Sequence, residues 1–85
     1  MPFRCPVCDC RTLSARCDWE ICPVCFWEDD VREDGRDPNA VTSGANGGLT
    51  LARARENYAA CGACDPAMVP HVRPPRPEER ADRGR

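Results

Sequence analysis

Apolar positions along the chain fall into three unlike stretches. From Phe3 to Trp27 the large hydrophobics (Phe3, Leu13, Trp19, Ile21, Phe26, Trp27) are scattered among six cysteines. Only Arg11-Thr12-Leu13 and Asp18-Trp19-Glu20-Ile21 read as brief strands, which predicts a β-hairpin over residues 3 to 27. Residues 28 to 48 follow neither the strand nor the helix period. They carry Asp37-Pro38-Asn39, Ser43-Gly44 and Asn46-Gly47-Gly48, all turn chemistry, so a connecting loop of unusual length is expected there. A helical period then emerges, with Leu51, Ala54 and Tyr58 on one face. The predicted helix runs from Leu51 to Ala60, with Thr50 as N-cap, Leu49 placed to pack on Ala54, and Gly62 free to close the end in a left-handed conformation. At about three turns such a helix is marginal alone, so its apolar face is expected to dock on the hairpin. Beyond Pro66 come Pro70, Pro74, Pro75 and Pro77, which favour extended backbone over helix or central strand. The expected organisation is one domain over residues 1–75 and a disordered tail rich in Pro, Arg and Glu over 76–85.

So few large apolar side chains in 85 residues make a thin core. Packing alone does not offset the entropy of ordering such a chain, and a covalent or metal staple is expected. Eight cysteines are available for it. Met1-Pro2-Phe3-Arg4-Cys5 reaches a cysteine without the apolar run of a secretory signal, and no stretch holds the roughly 18 consecutive apolar residues of a membrane span. The chain therefore reads as soluble and cytoplasmic, a compartment in which thiols stay reduced or bind metal. The formal net charge is −2, and every basic residue is Arg. Acidic residues crowd Glu28 to Asp37, while Arg73, Arg76, Arg80, Arg83 and Arg85 load the C-terminus.

Cys5-Pro6-Val7-Cys8 and Cys22-Pro23-Val24-Cys25 are one four-residue unit written twice, thirteen residues apart. Two thiolates on one tight turn can each reach about 2.3 Å from an ion while nearby backbone N–H groups point at the sulfurs, and two such turns complete a tetrahedron. Pro in the second position pre-sets the turn. The spacer is slightly shorter than the fifteen to twenty residues of the general pattern. The ligand set expected is Cys5, Cys8, Cys22 and Cys25 around one structural Zn2+ per chain. Iron is compatible with the same thiolates, and the plainer alternative is core cysteines or a disulfide. A closed four-thiolate site has no open position for water or substrate, so the zinc would be architectural and would contribute folding energy on the order of 10 kcal/mol.

With the string Ile21-Cys22-Pro23-Val24-Cys25-Phe26-Trp27-Glu28-Asp29-Asp30, and with Gly44-Ala45-Asn46-Gly47-Gly48-Leu49, Asn57, Tyr58, Gly62-Ala63 and Val72-Arg73-Pro74 after it, the chain resembles the bacterial cysteine-rich CPCC family. The name-giving Cys-Pro-Cys-Cys is Cys5-Pro6-Val7-Cys8 here, so the inner cysteine is absent while the four outer ones remain. The resemblance implies a zinc-binding domain and no particular activity.

The remaining signals are weaker. Cys10 and Cys17 lie between the knuckles and could pair or act as alternative ligands, or be accessory thiols. Cys61-Gly62-Ala63-Cys64 is a third Cys-x-x-Cys, but it stands at the end of the predicted helix, whereas a reactive dithiol sits at a helix N-terminus that stabilises its thiolate. His71, between Pro70 and Val72, is a weak ligand candidate. Aligning Gly35 with the glycine of a calcium loop puts Arg32 at one ligand position and Val41 at the terminal Glu position, so that reading fails, and Gly44 to Gly48 lacks the Lys and Ser or Thr of a phosphate loop. The acidic stretch is expected to be a solvated loop, or else a face for a basic partner.

The fold class expected is a small metal-stapled α+β domain, a zinc-ribbon-like hairpin with two CPxC knuckles, one short helix and irregular loops. No catalytic constellation is present, and the function expected is a protein-interaction or regulatory module with another protein as partner and no membrane association. A nucleic-acid-binding ribbon is the alternative, for which Phe3, Trp19, Phe26 and Trp27 could stack bases, but net charge and the acidic segment beside the second knuckle disfavour it. A thiol-redox protein using the extra cysteines ranks last. The acidic loop after Trp27 and the Gly44 to Gly48 segment are where function is expected to lie.

Overall fold

Two strands too short to stand alone open the structure, a computed structural model that describes residues 2–80. Strand β1 (Phe3–Arg4) pairs antiparallel with β2 (Arg11–Leu13), and the first knuckle forms the turn between them. The second expected strand, Asp18 to Ile21, does not form. Trp19 has φ 59°, outside the strand region, and only Ile21 bridges to Glu28 across the second knuckle.

The loop expected over 28 to 48 contains a second hairpin. Strand β3 (Thr42–Ser43) pairs antiparallel with β4 (Leu49–Thr50), joined by a 3-10 turn over Gly44–Asn46. Ser43 caps that turn by accepting from the Asn46 N–H, and Gly48, at φ 84°, donates to the Ser43 carbonyl at 2.7 Å. The left-handed backbone at that position is what glycine supplies without steric cost.

Helix α1 (Leu51–Cys61) starts and stops where the capping residues direct. The Thr50 hydroxyl accepts from the Arg53 N–H, and Gly62, at φ 83°, donates to the Tyr58 carbonyl. Leu51 and Ala54 are fully buried, with Tyr58 partly buried beside them. The core they join holds Val7, Leu13, Val24, Trp27 and Val41 together with the buried cysteines, so the metal-ligand candidates are part of the hydrophobic core and not an appendage to it.

After the helix the chain runs back across the second knuckle. Cys64 N–H donates to the Cys25 carbonyl at 2.8 Å, Arg73 N–H donates to the Pro23 carbonyl at 3.3 Å, and between them Pro66–His71 makes two turns of 3-10 helix capped by Asp65. Of the tail expected from residue 76, residues 81–85 lie outside the described residues. Pro77–Glu79 form a further 3-10 turn packed near β2, held by a bidentate pair of 2.8 Å bonds from the Arg73 guanidinium to the Glu79 carboxylate.

Candidate metal centre

Both knuckles use one backbone design. Cys5 N–H donates to the Cys10 carbonyl and Asp9 N–H to the Cys5 carbonyl; Cys22 N–H donates to the Trp27 carbonyl and Phe26 N–H to the Cys22 carbonyl. In each, the residue following the second cysteine is left-handed, Asp9 at φ 64° and Phe26 at φ 69°. The repeated Cys-Pro-Val-Cys therefore codes a repeated turn, and the two turns face each other across the core.

Their sulfurs converge. Cys5 Sγ lies 3.5 Å from Cys25 Sγ and Cys8 Sγ 3.7 Å from Cys22 Sγ, and all four sulfurs lie within 4.8 Å of one another. Four sulfurs at about 2.3 Å from a central ion stand about 3.8 Å apart, so the four thiols are spaced as a tetrahedral metal site requires. The donor set could hold a metal ion. Cys5, Cys22 and Cys25 are buried, while Cys8 is half-buried and forms the solvent-side edge.

Electrostatics point the same way. The Cys8 and Cys25 thiols are pushed strongly up, chiefly by hydrogen bonding to Cys22, while the Cys22 thiol is pulled strongly down by the Cys25 and Cys5 thiols that share it and by Thr12, whose hydroxyl lies 3.0 Å from Cys22 Sγ. Four thiolates cannot be gathered at this spacing without a cation to balance them, so metal binding here is linked to proton release.

The other cysteines do not join the cluster. Cys10 is buried and points its thiol at the Cys8 carbonyl, 3.7 Å away, and burial pushes that thiol up. Cys17 is half-buried at φ 57° and donates its backbone N–H to Asp29. Cys61 is exposed with its thiol toward the Ala63 carbonyl, and Cys64 is buried, its thiol raised to about 12 by burial first and by Asp65 second. A raised Cys64 thiol is the opposite of the stabilised thiolate that a reactive dithiol needs. His71 is no ligand to the cluster; its ring stacks on Phe26 with centroids 5.1 Å apart.

The acidic stretch after Trp27 is a solvated loop, as expected, at Asp34 and Asp37, but not in its first part. Asp29 is fully buried and accepts from Arg16 Nε at 2.7 Å and from the Cys17 N–H at 2.9 Å, and Arg16 continues to Glu33 at 2.7 Å. Asp30 accepts from the Ser43 hydroxyl and the Ala45 N–H. The Asn46 side chain pairs with Glu28 as a strand neighbour would, accepting from its N–H at 3.0 Å and donating to its carbonyl at 2.7 Å. The acidic segment and the Gly44 to Gly48 turn are thus bonded to each other, and both brace the second knuckle. Trp27, buried among them, leaves its indole N–H without a partner among the described residues.

No helix among the described residues is long and apolar enough to cross a membrane. No curated protein and no solved structure matches the chain. One family model does, that of the cysteine-rich CPCC proteins, over residues 3–79.

Proposed function

Because the chain belongs to the cysteine-rich CPCC family, we propose that the cluster its signature cysteines form holds one structural zinc ion, and that the zinc-held fold serves as a cytoplasmic protein-interaction or regulatory module. The observation that carries the metal assignment is the spacing of the four sulfurs, all within 4.8 Å of one another and embedded in the core. Zinc fits better than iron on general grounds: a closed, buried four-thiolate site is a usual structural zinc arrangement and needs no redox partner. The zinc-ribbon comparison extends to the two facing knuckles and the β1–β2 hairpin, and stops there, since no strand follows Leu13 before the second knuckle.

Four protein ligands saturate a tetrahedral ion, so a substrate would find no open position, and the reading is of a scaffold and not of a hydrolase. Free, unpaired thiols at Cys10, Cys17, Cys61 and Cys64 accord with a reducing cytoplasm. Metal analysis of the purified protein is expected to give about one zinc per chain, and cobalt substitution to give the visible bands of a tetrahedral thiolate site. Cys22→Ser is expected to abolish cooperative folding, whereas Cys61→Ser, at an exposed thiol, leaves it intact. Equal tolerance of both substitutions would sink the assignment. For the role, the full zinc-loaded chain is the bait for partner capture, and a chain that retains no partner while binding single-stranded nucleic acid at low salt would favour the nucleic-acid reading instead.

A further inference from the structure

Beside the second knuckle lies a concave surface lined by Ile21, Phe26, Leu49 and Met68, with Glu28 and Asp65 among its polar residues. Its volume is about 190 Å³. That is below the roughly 300–1,000 Å³ of pockets that enclose a whole cofactor or metabolite, and it suits a single inserted side chain. The walls are fixed beforehand by the paired Asn46–Glu28 bonds and by the Cys64 to Cys25 bond, so a ligand would meet a formed surface.

Two features of this face are left unexplained by folding. The first is its apolar exposure. Ile21 is 43% exposed, Val69, next to Met68 in the chain, is 44% exposed, and Trp19, two residues before Ile21, is 61% exposed. An apolar concavity with a half-exposed Ile21 on its wall has the character of a contact surface. The second feature is charge. The ionisable groups that line the concavity, apart from the Cys64 thiol, are Glu28 and Asp65, both acidic, and no Arg of this Arg-rich chain lines it. The Glu28 carboxylate makes no hydrogen bond or ion pair among the described residues, while Asp65 accepts from the Ala67 N–H.

We propose that this concavity receives an apolar side chain of a partner polypeptide whose neighbouring residue is Lys or Arg, with the cation lying against Glu28 and Asp65. The proposal rests on the interaction-module reading and gives that reading a site and a partner chemistry. A second copy of this chain is a poorer occupant. Its exposed Phe3-Arg4 has the right character, but it lies beside the other knuckle, so the contact would be head-to-tail and would propagate instead of closing.

The test is selection of phage-displayed random peptides on the immobilised zinc-loaded protein, followed by calorimetry with a synthetic consensus peptide. Enriched sequences are expected to carry an aromatic or long aliphatic residue within two positions of Lys or Arg, and amide shifts on binding to map to Ile21, Leu49 and Met68. Glu28→Gln combined with Asp65→Asn is expected to weaken the peptide about tenfold and to flatten its salt dependence, with zinc content and helix signal unchanged. Asp65→Asn keeps the oxygen that caps the 3-10 turn. Ile21→Ser, at a site where only the backbone pairs, weakens binding again. A consensus without a basic residue, or affinity indifferent to these variants, overturns the site. So does concentration-dependent self-association that the same variants abolish. Peptides whose shifts map to another face overturn this site and leave the interaction module standing; no enriched peptide together with no captured partner brings down both.

Discussion

Replacing Arg16 by Met tests whether the acidic stretch belongs to the core. The Asp29 side chain is fully buried and that of Arg16 is 19% exposed, and the guanidinium spans Asp29 and Glu33 at 2.7 Å each. Met fills much of the space of the aliphatic stem, so packing is largely conserved and the change isolates the charge. With the guanidinium gone, the Cys17 N–H, at 2.9 Å, is the one near partner left to the Asp29 carboxylate among the described residues. Removing one member of a buried pair costs about 3–5 kcal/mol, because the remaining charge stays desolvated. Partial exposure of Arg16 lets water reach the gap, so the lower end, about 3 kcal/mol, is expected. For a chain of this size that corresponds to a fall of roughly 12–24 °C in the thermal midpoint of the zinc-loaded protein. Asp29→Asn in the Arg16→Met background should recover part of the loss, since a neutral amide is cheaper to bury and its oxygen can still accept from Cys17. Thermal unfolding followed by circular dichroism at constant free zinc measures both. A loss under about 1 kcal/mol for Arg16→Met would show that the pair behaves as a surface salt bridge, and the burial argument would fall with it.

Other outcomes follow from the knuckles and the C-terminal segment. Thr12→Val removes the hydroxyl 3.0 Å from Cys22 Sγ and is expected to weaken zinc affinity about tenfold in a chelator competition, with little change in fold. Asp9→Gly relaxes a left-handed residue, φ 64°, whose ion pair with Arg4 is exposed and long at 3.7 Å, and should be neutral or stabilising by up to about 1 kcal/mol; Phe26→Gly relaxes the same strain but loses the stack on His71 and should destabilise. Glu79 is held down to about 2, chiefly by Arg73. A depressed carboxylate contributes stability that is present above its ordinary value of 4.5 and lost only as pH falls toward 2. Between pH 6 and pH 4 its carboxyl carbon shift should therefore stay flat, and Arg73→Ala should bring its titration up into that range.

The sequence carried the parts of this fold that are coded locally. The capping residues Thr50 and Gly62 placed the helix to within one residue of its end, because a cap is a short-range hydrogen bond between neighbours in the chain. The duplicated Cys-Pro-Val-Cys gave the cluster for the same reason: each half is a self-contained turn. What was illegible depends on partners far apart. Asp29 reads as one more charge in an acidic run, and only the fold brings it Arg16 from thirteen positions earlier. The β3–β4 hairpin was hidden because each strand has two residues, too few to show alternation, and because its support comes from Glu28 and Asp30 through Asn46 and Ser43. Asp18 to Ile21 alternates as a strand should, yet the left-handed backbone at Trp19, fixed by its N–H bond to the Asp29 carbonyl, overrides that pattern. The closeness of the four sulfurs followed from spacing; that Cys10 would be buried beside them as a core thiol left no trace in the pattern.

Both knuckles are completed late. The backbone bonds that turn the first lie within residues 5 to 10, but its Pro6 carbonyl accepts from Arg55 Nε at 2.8 Å, and the second is bracketed by Cys64 and Arg73, so each is clasped by residues made roughly forty to fifty positions later. All four sulfurs have been synthesised by Cys25. During translation the emerging segment can gather its ion while the carbonyls of Pro6, Pro23 and Cys25 still face water, and the rest of the chain then condenses onto a centre already loaded. The metal would act as the nucleus of folding, and closure of the helix over the first knuckle and of the C-terminal segment over the second as its last step, setting how slowly the ion is released.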